Sequence, residues 1–507
     1  METALAAYLP QDRCRALARG EDLPERTSGA ALFADISGFT PLTEALDRAL
    51  GARRGVEEVT RQINRVYDAL IDEVERYGGS VIGFAGDAMT CWFDDAERLE
   101  TRDLRLENPD PASSLQPPAP AAVRATTAAL ALQAAMRQFG AIKLPDGSTT
   151  ALALKVAVAS GPARRLVVGD GAIQLLDVLA GAPLLRTAAG EHLAAQGEVL
   201  IDQPTATALG DLIAVTEWRS DEQTGERFAV LRELNIENEK LSSELISDVS
   251  HAQFSMLDSQ LLRPWLLPAV YERHQAGLGD FLTELRPAVA LFIQFRGIDY
   301  VDDADAGIKL DAFIRLVQAT LTRYSGALIQ LTIGDKGSYL QATFGAPIAH
   351  EDDPRRAARA ALALLALPEQ LAFLSPLQAG ISHGVLRVGA YGGASRRTYG
   401  AMGDEVNLAA RLMQRAAPGE ALINGRVQPA LAADFTLEPL EPIPLKGMPE
   451  PLPIFRLTGE RMRSVRLSEP AYALPMVGRA TELAQIGEKL ELALTSRGQV
   501  IGITAEA

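Results

Sequence analysis

Two apolar periods alternate along this chain, and their order repeats. Residues 31–34 (Ala-Leu-Phe-Ala) form a continuous apolar run, as expected of a strand covered on both faces. Val59, Ile63, Val66, Leu70, Ile71 and Val74 then recur at helical spacing across residues 56–77. Residues 78–93 read as two short apolar strands joined by a turn at Ala85-Gly86. A helix of small residues is predicted over 122–139, a strand over 151–160, a turn and helix over 175–195, and a strand over 198–201. Helix, hairpin, helix in that order predicts an α+β sandwich rather than alternating βα units.

From Pro287 the same succession returns. Residues 289–295 match the opening strand, 326–344 the hairpin, 353–367 the small-residue helix, and 377–389 the later strand. Residues 401–412 match the turn and helix around Gly181, and Gly334-Asp335 stands where Gly86-Asp87 stands in the first copy. The expected organisation is a lead-in (1–28), a first domain (29–216), a linker (217–285) and a second domain (286–460). Within the linker, Phe228, Leu231, Leu234, Leu241 and Leu245 predict a brief amphipathic helix, and Leu266-Leu-Pro268 interrupts the spacing. Residues 96–121, rich in Pro, Asp and Glu, read as a loop insertion; 470–507 predict a helix to Leu494 and a strand over 499–507.

Composition narrows the function. At 507 residues, 47% hydrophobic and 22% charged, the chain is globular material for two to four domains. A net charge of −16 argues against nucleic acid as a partner, since that footprint is basic. With only Cys14 and Cys91 there is no disulfide framework, which points to a reducing, cytosolic setting. The first residues lack a basic signal-peptide start, and no apolar run is long enough to span a membrane. His192, His251, His274, His350 and His383 show no metal spacing and read as structural or surface residues.

The candidate chemistry lies at two strand ends. Asp35 follows the first apolar run; Ser37-Gly38 allows a tight turn, with Thr40 as N-cap and Pro41 at the first helical position. A carboxylate is thereby set beside an amide-rich helix N-terminus, able to serve a hard cation and phosphate oxygens respectively. Alone, Asp35 reads equally well as a turn residue. Asp87, expected at the start of the returning strand, supplies a second carboxylate where Asp is uncommon. Two such groups with no nearby His or Cys suit Mg²⁺ or Mn²⁺ better than zinc.

Asp35-Ile-Ser-Gly-Phe-Thr40 and Gly86-Asp87, present in order, resemble the paired metal motifs of class III nucleotidyl cyclases. Asn407 and Arg411, one helical turn apart, are similar to that family's Asn-x-x-x-Arg motif. The copies are unequal: Gln294 faces Asp35, while Leu185 and Ala189 face Asn407 and Arg411. The resemblance, of the soluble adenylyl cyclase type, implies two ferredoxin-like domains paired within one chain. It implies one composite site that makes cyclic AMP from ATP, with GTP as the alternative substrate. Two Mg²⁺ or Mn²⁺ ions would be held by Asp35, Asp87 and the Ile36 carbonyl. The amides of Gly38, Phe39 and Thr40 would receive the distal phosphates, and Lys446 matches a triphosphate-contacting lysine or is a surface lysine.

Base recognition departs from the family. Leu331 and Gly400 occupy the adenine-reading positions, and Lys336 resembles a lysine that can substitute. Arg186 is placed at the opposite, degenerate site, but Gly83 stands where bicarbonate-regulated cyclases carry a lysine, which argues against bicarbonate control. Residues 476–507 resemble the start of an AAA/STAND-type ATPase, without a Gly-Lys-Ser/Thr loop. The rival reading is a catalytically silent nucleotide-binding module that regulates such an ATPase.

Overall fold

The computed structural model describes residues 5–96, 120–145, 147–222, 224–234, 257–278, 283–334, 337–443, 451–461, 478–495 and 497–502. They fall into two units, residues 1–461 and 462–507. The larger unit opens with helix α1 (Gln11–Arg19) and strand β1 (Arg26–Ser37), followed by α2 (Phe39–Leu50) and α3 (Ala52–Arg76). Next come the hairpin β2 (Ser80–Ala85) and β3 (Ala88–Asp94), α4 (Ala121–Met136), and the long β4 (Ala153–Val168), which folds back on β5 (Leu176–Ala180). Helix α5 (Ala182–Leu193), β6 (Val199–Asp202), α6 (Gln203–Leu209), β7 (Ile213–Ser220) and β8 (Arg227–Leu234) close the first half.

After α7 (Pro268–Gln275) the second half runs β9 (Glu284–Phe295), α8 (Ala306–Arg323), β10 (Ala327–Thr332), β11 (Ser338–Phe344) and α9 (Asp353–Leu365). It continues with β12 (Gln378–Gly392), β13 (Arg397–Met402), α10 (Asp404–Arg415), β14 (Ala421–Asn424), β15 (Phe435–Ile443) and β16 (Leu452–Glu460). Both halves build an eight-stranded mixed sheet of one order: β2-β3-β1-β4-β6-β8-β7 and β10-β11-β9-β12-β14-β16-β15, with β5 on β4 and β13 on β12. The class is α+β, and the chain contains the repeated order that its periodicity predicts. No described helix is long and apolar enough to cross a membrane.

Strand β1 sits at the centre of its sheet, and its apolar run follows from that position. Ala30, Leu32, Ala34 and Ile36 point into the core beneath α3 and α4, while Ala31 joins Trp92, Leu179 and Leu184 on the opposite face. Side chains alternate along a strand, so Phe33 and Asp35 share the face of Ala31.

Matching registers align the halves residue by residue. Ala30 pairs with Phe93 and Val289 with Phe344; further along, Asp35 lies opposite Ala88 and Gln294 opposite Tyr339. Gln294 is therefore the counterpart of Asp35. The hairpin tips differ. Ala85 pairs directly with Ala88 around Gly86-Asp87, whereas Thr332 pairs with Tyr339 around a longer loop. Counting back from Tyr339, the counterpart of Asp87 is buried Ser338, which pairs with Phe295. Asp335, expected to match Asp87, lies outside the described residues.

Two contacts between the halves are mutual counterparts. Gly169, at the β4 end, donates its N–H to Asp311 Oδ1 of α8 at 2.8 Å; Gly392, ending β12, donates to Asn64 Oδ1 of α3 at 3.4 Å. Gly169 lies as far past Ser160 as Gly392 lies past His383, and Ser160 and His383 face Ala30 and Val289. Tyr391 adds an apolar fastening, its ring 5.8 Å from that of Phe84 and 6.2 Å from that of Tyr67.

The N-terminal segment joins both halves. Asp12 accepts from Arg165, and Arg13 donates to Asp177, all within the first half. Five residues earlier in the segment, the Ala7 carbonyl accepts from the Arg397 N–H at 2.6 Å and the Tyr8 carbonyl from Arg396 Nη1 at 3.1 Å. Arg396 is buried and also donates to the carbonyls of Val81 and Ile82.

The sequence reading needs two further corrections here. Over its described part, the helix expected from Phe228 onward is strand β8, paired with β6 and β7; Leu241 and Leu245 lie outside the described residues. In the smaller unit the helix to Leu494 is present as α11 (Ala480–Leu494), but residues 499–502, the described part of the expected strand, take no strand structure.

Candidate active site

Asp35 stands two residues before the end of β1, opposite Ala88 on β3 and Lys155 on β4. Asp87 lies in the two-residue hairpin turn rather than in the strand that follows. Gly86 takes φ +66°, and a positive φ at the first central position is what a type II′ turn demands. The turn is fastened from both sides. Ile36 donates its N–H to the Asp87 carbonyl at 3.2 Å, and Tyr67 donates its hydroxyl to the Gly86 carbonyl at 3.1 Å.

Burial pushes the Asp35 carboxyl up to about 6, with Asp87 and then Glu191 adding to the rise and Lys155 opposing it. Asp87 is raised as well, first by burial and then by Glu191. These carboxylates lack enough positive charge around them, the condition under which a bound divalent cation is most favourable. Their donor atoms are hard oxygens, fitting Mg²⁺ or Mn²⁺. Among the described residues no group of three or more His, Cys, Asp or Glu forms a ready metal cluster.

The turn after β1 differs in detail from the expectation. Helix α2 begins at Phe39, and the Gly38 carbonyl accepts from the Leu42 N–H, so Gly38 rather than Thr40 is the N-cap. Thr40 falls in the first turn and Pro41 third in the helix, where a missing N–H still costs nothing. Gly38 has φ +105°, and a Cβ there would sit 2.5 Å from the Ala151 carbonyl oxygen. Phe39 is buried in the core and anchors the helix start.

In the second half, α10 buries Glu405, Leu408, Ala409, Leu412 and Met413. Asn407 and Arg411 are exposed on the other side, one turn apart. Among the described residues neither side chain has a hydrogen bond or ion pair. Gly181 and Gly403 cap α5 and α10 equivalently, which makes Leu185 and Ala189 the counterparts of Asn407 and Arg411. Arg186 donates to buried Asp202 at 2.6 Å and to the Ser160 carbonyl at 2.7 Å. Lys336 and Lys446 lie outside the described residues.

At the positions linked with base reading, a Cβ on Gly400 would lie 2.5 Å from the Tyr391 ring. Tyr391 thus fills the space a Gly400 side chain would need. Gly83 is the opposite case, with nothing within 4 Å of its Cβ position, so packing does not exclude a lysine there. Leu331 lines a cleft of about 430 Å³, together with Phe33, Glu191, Gln294 and Tyr339. That cleft takes in Gln294 and none of Asp35, Asp87, Asn407 or Arg411.

Lys155 and Glu191 lie outside the site residues expected from the sequence. Lys155 was legible as the one charged residue within an apolar strand start; Glu191, on a helix of mixed composition, gave no signal.

Residues 310–459 match the adenylate and guanylate cyclase catalytic domain. That match lies within the second half, from α8 to β16. Over 94% of its length the chain is 22% identical to rat (Rattus norvegicus) adenylate cyclase type 10, and over 81% it is 22% identical to the human (Homo sapiens) protein of that name. The chain spans only 30% and 25% of those relatives' lengths. A crystal structure of a class III adenylyl cyclase-like ATP-binding protein from Pseudomonas aeruginosa matches with TM-score 0.51 and 14% identity, over 80% of this chain and 85% of that one. At that identity the likeness concerns the fold, and its coverage extends well beyond the cyclase homology domain of residues 310–459.

Proposed function

We propose that this protein is a nucleotidyl cyclase that converts ATP to cyclic AMP and pyrophosphate at one composite site between two halves arranged as an intramolecular pseudo-dimer. The observation that carries this reading is complementary loss. The first half keeps Asp35 and Asp87 where the second has Gln294 and Ser338, and the second keeps Asn407 and Arg411 where the first has Leu185 and Ala189. A structural scaffold has no reason to divide its losses this way. The paired Gly169–Asp311 and Gly392–Asn64 contacts support the pseudo-dimer.

In this reading Asp35, Asp87 and the Ile36 carbonyl hold two Mg²⁺ or Mn²⁺ ions, which when bound supply Lewis acidity to the ribose 3′-hydroxyl and the triphosphate. The backbone N–H groups of Gly38, Phe39 and Thr40, at a helix start, receive the distal phosphate oxygens. Asn407 orients the ribose so that its 3′-oxygen lies in line with the α-phosphorus. Arg411 stabilises the charge that builds on the transferring phosphate as pyrophosphate leaves, a preorganised contact typically worth about 3 kcal/mol.

One observation favours the silent ATP-binding alternative. Leu331 and Gly400 offer the base no side-chain hydrogen bond, and Tyr391 fills the space beside Gly400. Incubation of the whole chain with ATP or GTP and Mn²⁺, followed by chromatography, separates the two readings. Cyclic AMP with stoichiometric pyrophosphate is expected. Nucleotide recovered unchanged, with binding intact, would establish the silent module instead.

A further inference from the structure

Lys155 is the direct cross-strand neighbour of Asp35. Residues so paired in antiparallel strands carry their Cβ atoms on one face, about 4.5–5.5 Å apart. A lysine in that place would ordinarily pair with the aspartate. Instead Lys155 Nζ donates to Glu191 Oε1 of α5 at 3.1 Å, with both side chains largely shielded (25% and 14% exposed). Glu191 also lines the cleft beside Phe33, which shares the face of Asp35.

The second half supplies the comparison. Its residues at these three positions are Gln294 for Asp35, Gln378 for Lys155 and Met413 for Glu191. All three charges are absent together. The mechanical task of tying this helix to the strand beside the central one persists there without them, because Gln378 Nε2 of β12 donates to the Ala416 carbonyl at the end of α10. A neutral side chain therefore suffices as a tether, and the ionic form of the tether occurs only where the carboxylate pair occurs.

We infer that Glu191 is a positioning residue for the metal pair: it holds the Lys155 ammonium off Asp35 and thereby keeps the Asp35 and Asp87 carboxylates available to divalent cations. This rests on the metal reading of Asp35 and Asp87. Without Glu191, the ammonium turns to its cross-strand neighbour and competes with the cation for the same carboxylate.

The test is Mn²⁺ binding to the nucleotide-free whole chain, followed by the electron paramagnetic resonance signal of free Mn²⁺. Glu191→Gln should weaken binding by about tenfold, as expected when one close charge is redirected onto the ligand set. Lys155→Gln should tighten it, and the double substitution should lie above Glu191→Gln. A purely structural tether predicts that both single substitutions weaken binding alike, so opposite signs are the discriminating result. Should Glu191→Gln fail to fold, Lys155→Gln alone decides, and weaker or unchanged binding overturns the inference. Asp35→Asn serves as the reference. If it binds Mn²⁺ as wild type does, the metal reading itself falls. If it loses binding while Glu191→Gln keeps wild-type affinity, only the role of Glu191 falls.

Discussion

A carboxyl group buried beside a second carboxylate resists ionisation, and Asp35 does so up to about pH 6. The sign of the consequence follows from linkage. Its pKa is higher in the folded state than the ordinary 3.8, so the folded state holds the proton more tightly. The stabilising contribution is complete below about pH 4 and disappears as pH rises through about 6. In the presence of a chelator, Asp35→Asn should therefore raise the thermal midpoint relative to wild type at about pH 8 and leave it unchanged near pH 4. Equal differences at both pH values in thermal unfolding would show that Asp35 carries no ionisation strain. Excess Mn²⁺ should shrink the gap at the higher pH, since the cation supplies the charge that the site lacks.

Among the elements, the turns at either end of the carboxylate pair differ in what they tolerate. Gly86 has a positive φ with open space around its Cβ position, whereas Gly38 combines a positive φ with a backbone oxygen 2.5 Å away. Gly86→Ala should cost about 1–2 kcal/mol in urea unfolding, from backbone strain alone. Gly38→Ala should cost about 3–5 kcal/mol, because overpacking adds to that strain. Equal costs would mean that the β1–α2 turn relaxes freely. The same elements show where the sequence was readable. The central strand, the β2–β3 hairpin and the helix carrying Asn407 follow from apolar runs and helical spacing, since burial imposes both. Strand β8 departs from the expected helix because Phe228, Leu231 and Leu234 happen to fit a helical period. The stronger signal was the unbroken run Phe228-Ala-Val-Leu231, covered by α5 residues on one side and the main core on the other. The N-cap is Gly38 rather than Thr40 because the close approach to Ala151 comes from the segment leading into β4, far along the chain and invisible to local reading. Glu191 was hidden for the same reason: its meaning depends on Lys155, which is adjacent only once the helix is laid on the sheet.

For the whole molecule, the proposed function makes the division of polar groups between the halves set the number of working sites. Gln294 and Ser338 cannot provide a carboxylate pair, and Leu185 and Ala189 cannot orient ribose or stabilise charge. Calorimetric titration with a non-cyclisable ATP analogue and Mn²⁺ should accordingly give one metal–nucleotide complex per chain. Two equivalent sites would require the second interface to bind by other groups and would end the one-site account. The N-terminal segment adds a constraint of a different kind, on the order of synthesis. The carbonyls of Ala7 and Tyr8 receive their partners from Arg396 and Arg397, which leave the ribosome only after several hundred further residues have been made. Until then, these acceptors have no donor except water, so a segment made long before Arg396 settles only after it. A nascent first half cannot close its own N-terminal edge, and a chain stopped before Arg396 leaves that edge open to whatever else can hydrogen-bond to it.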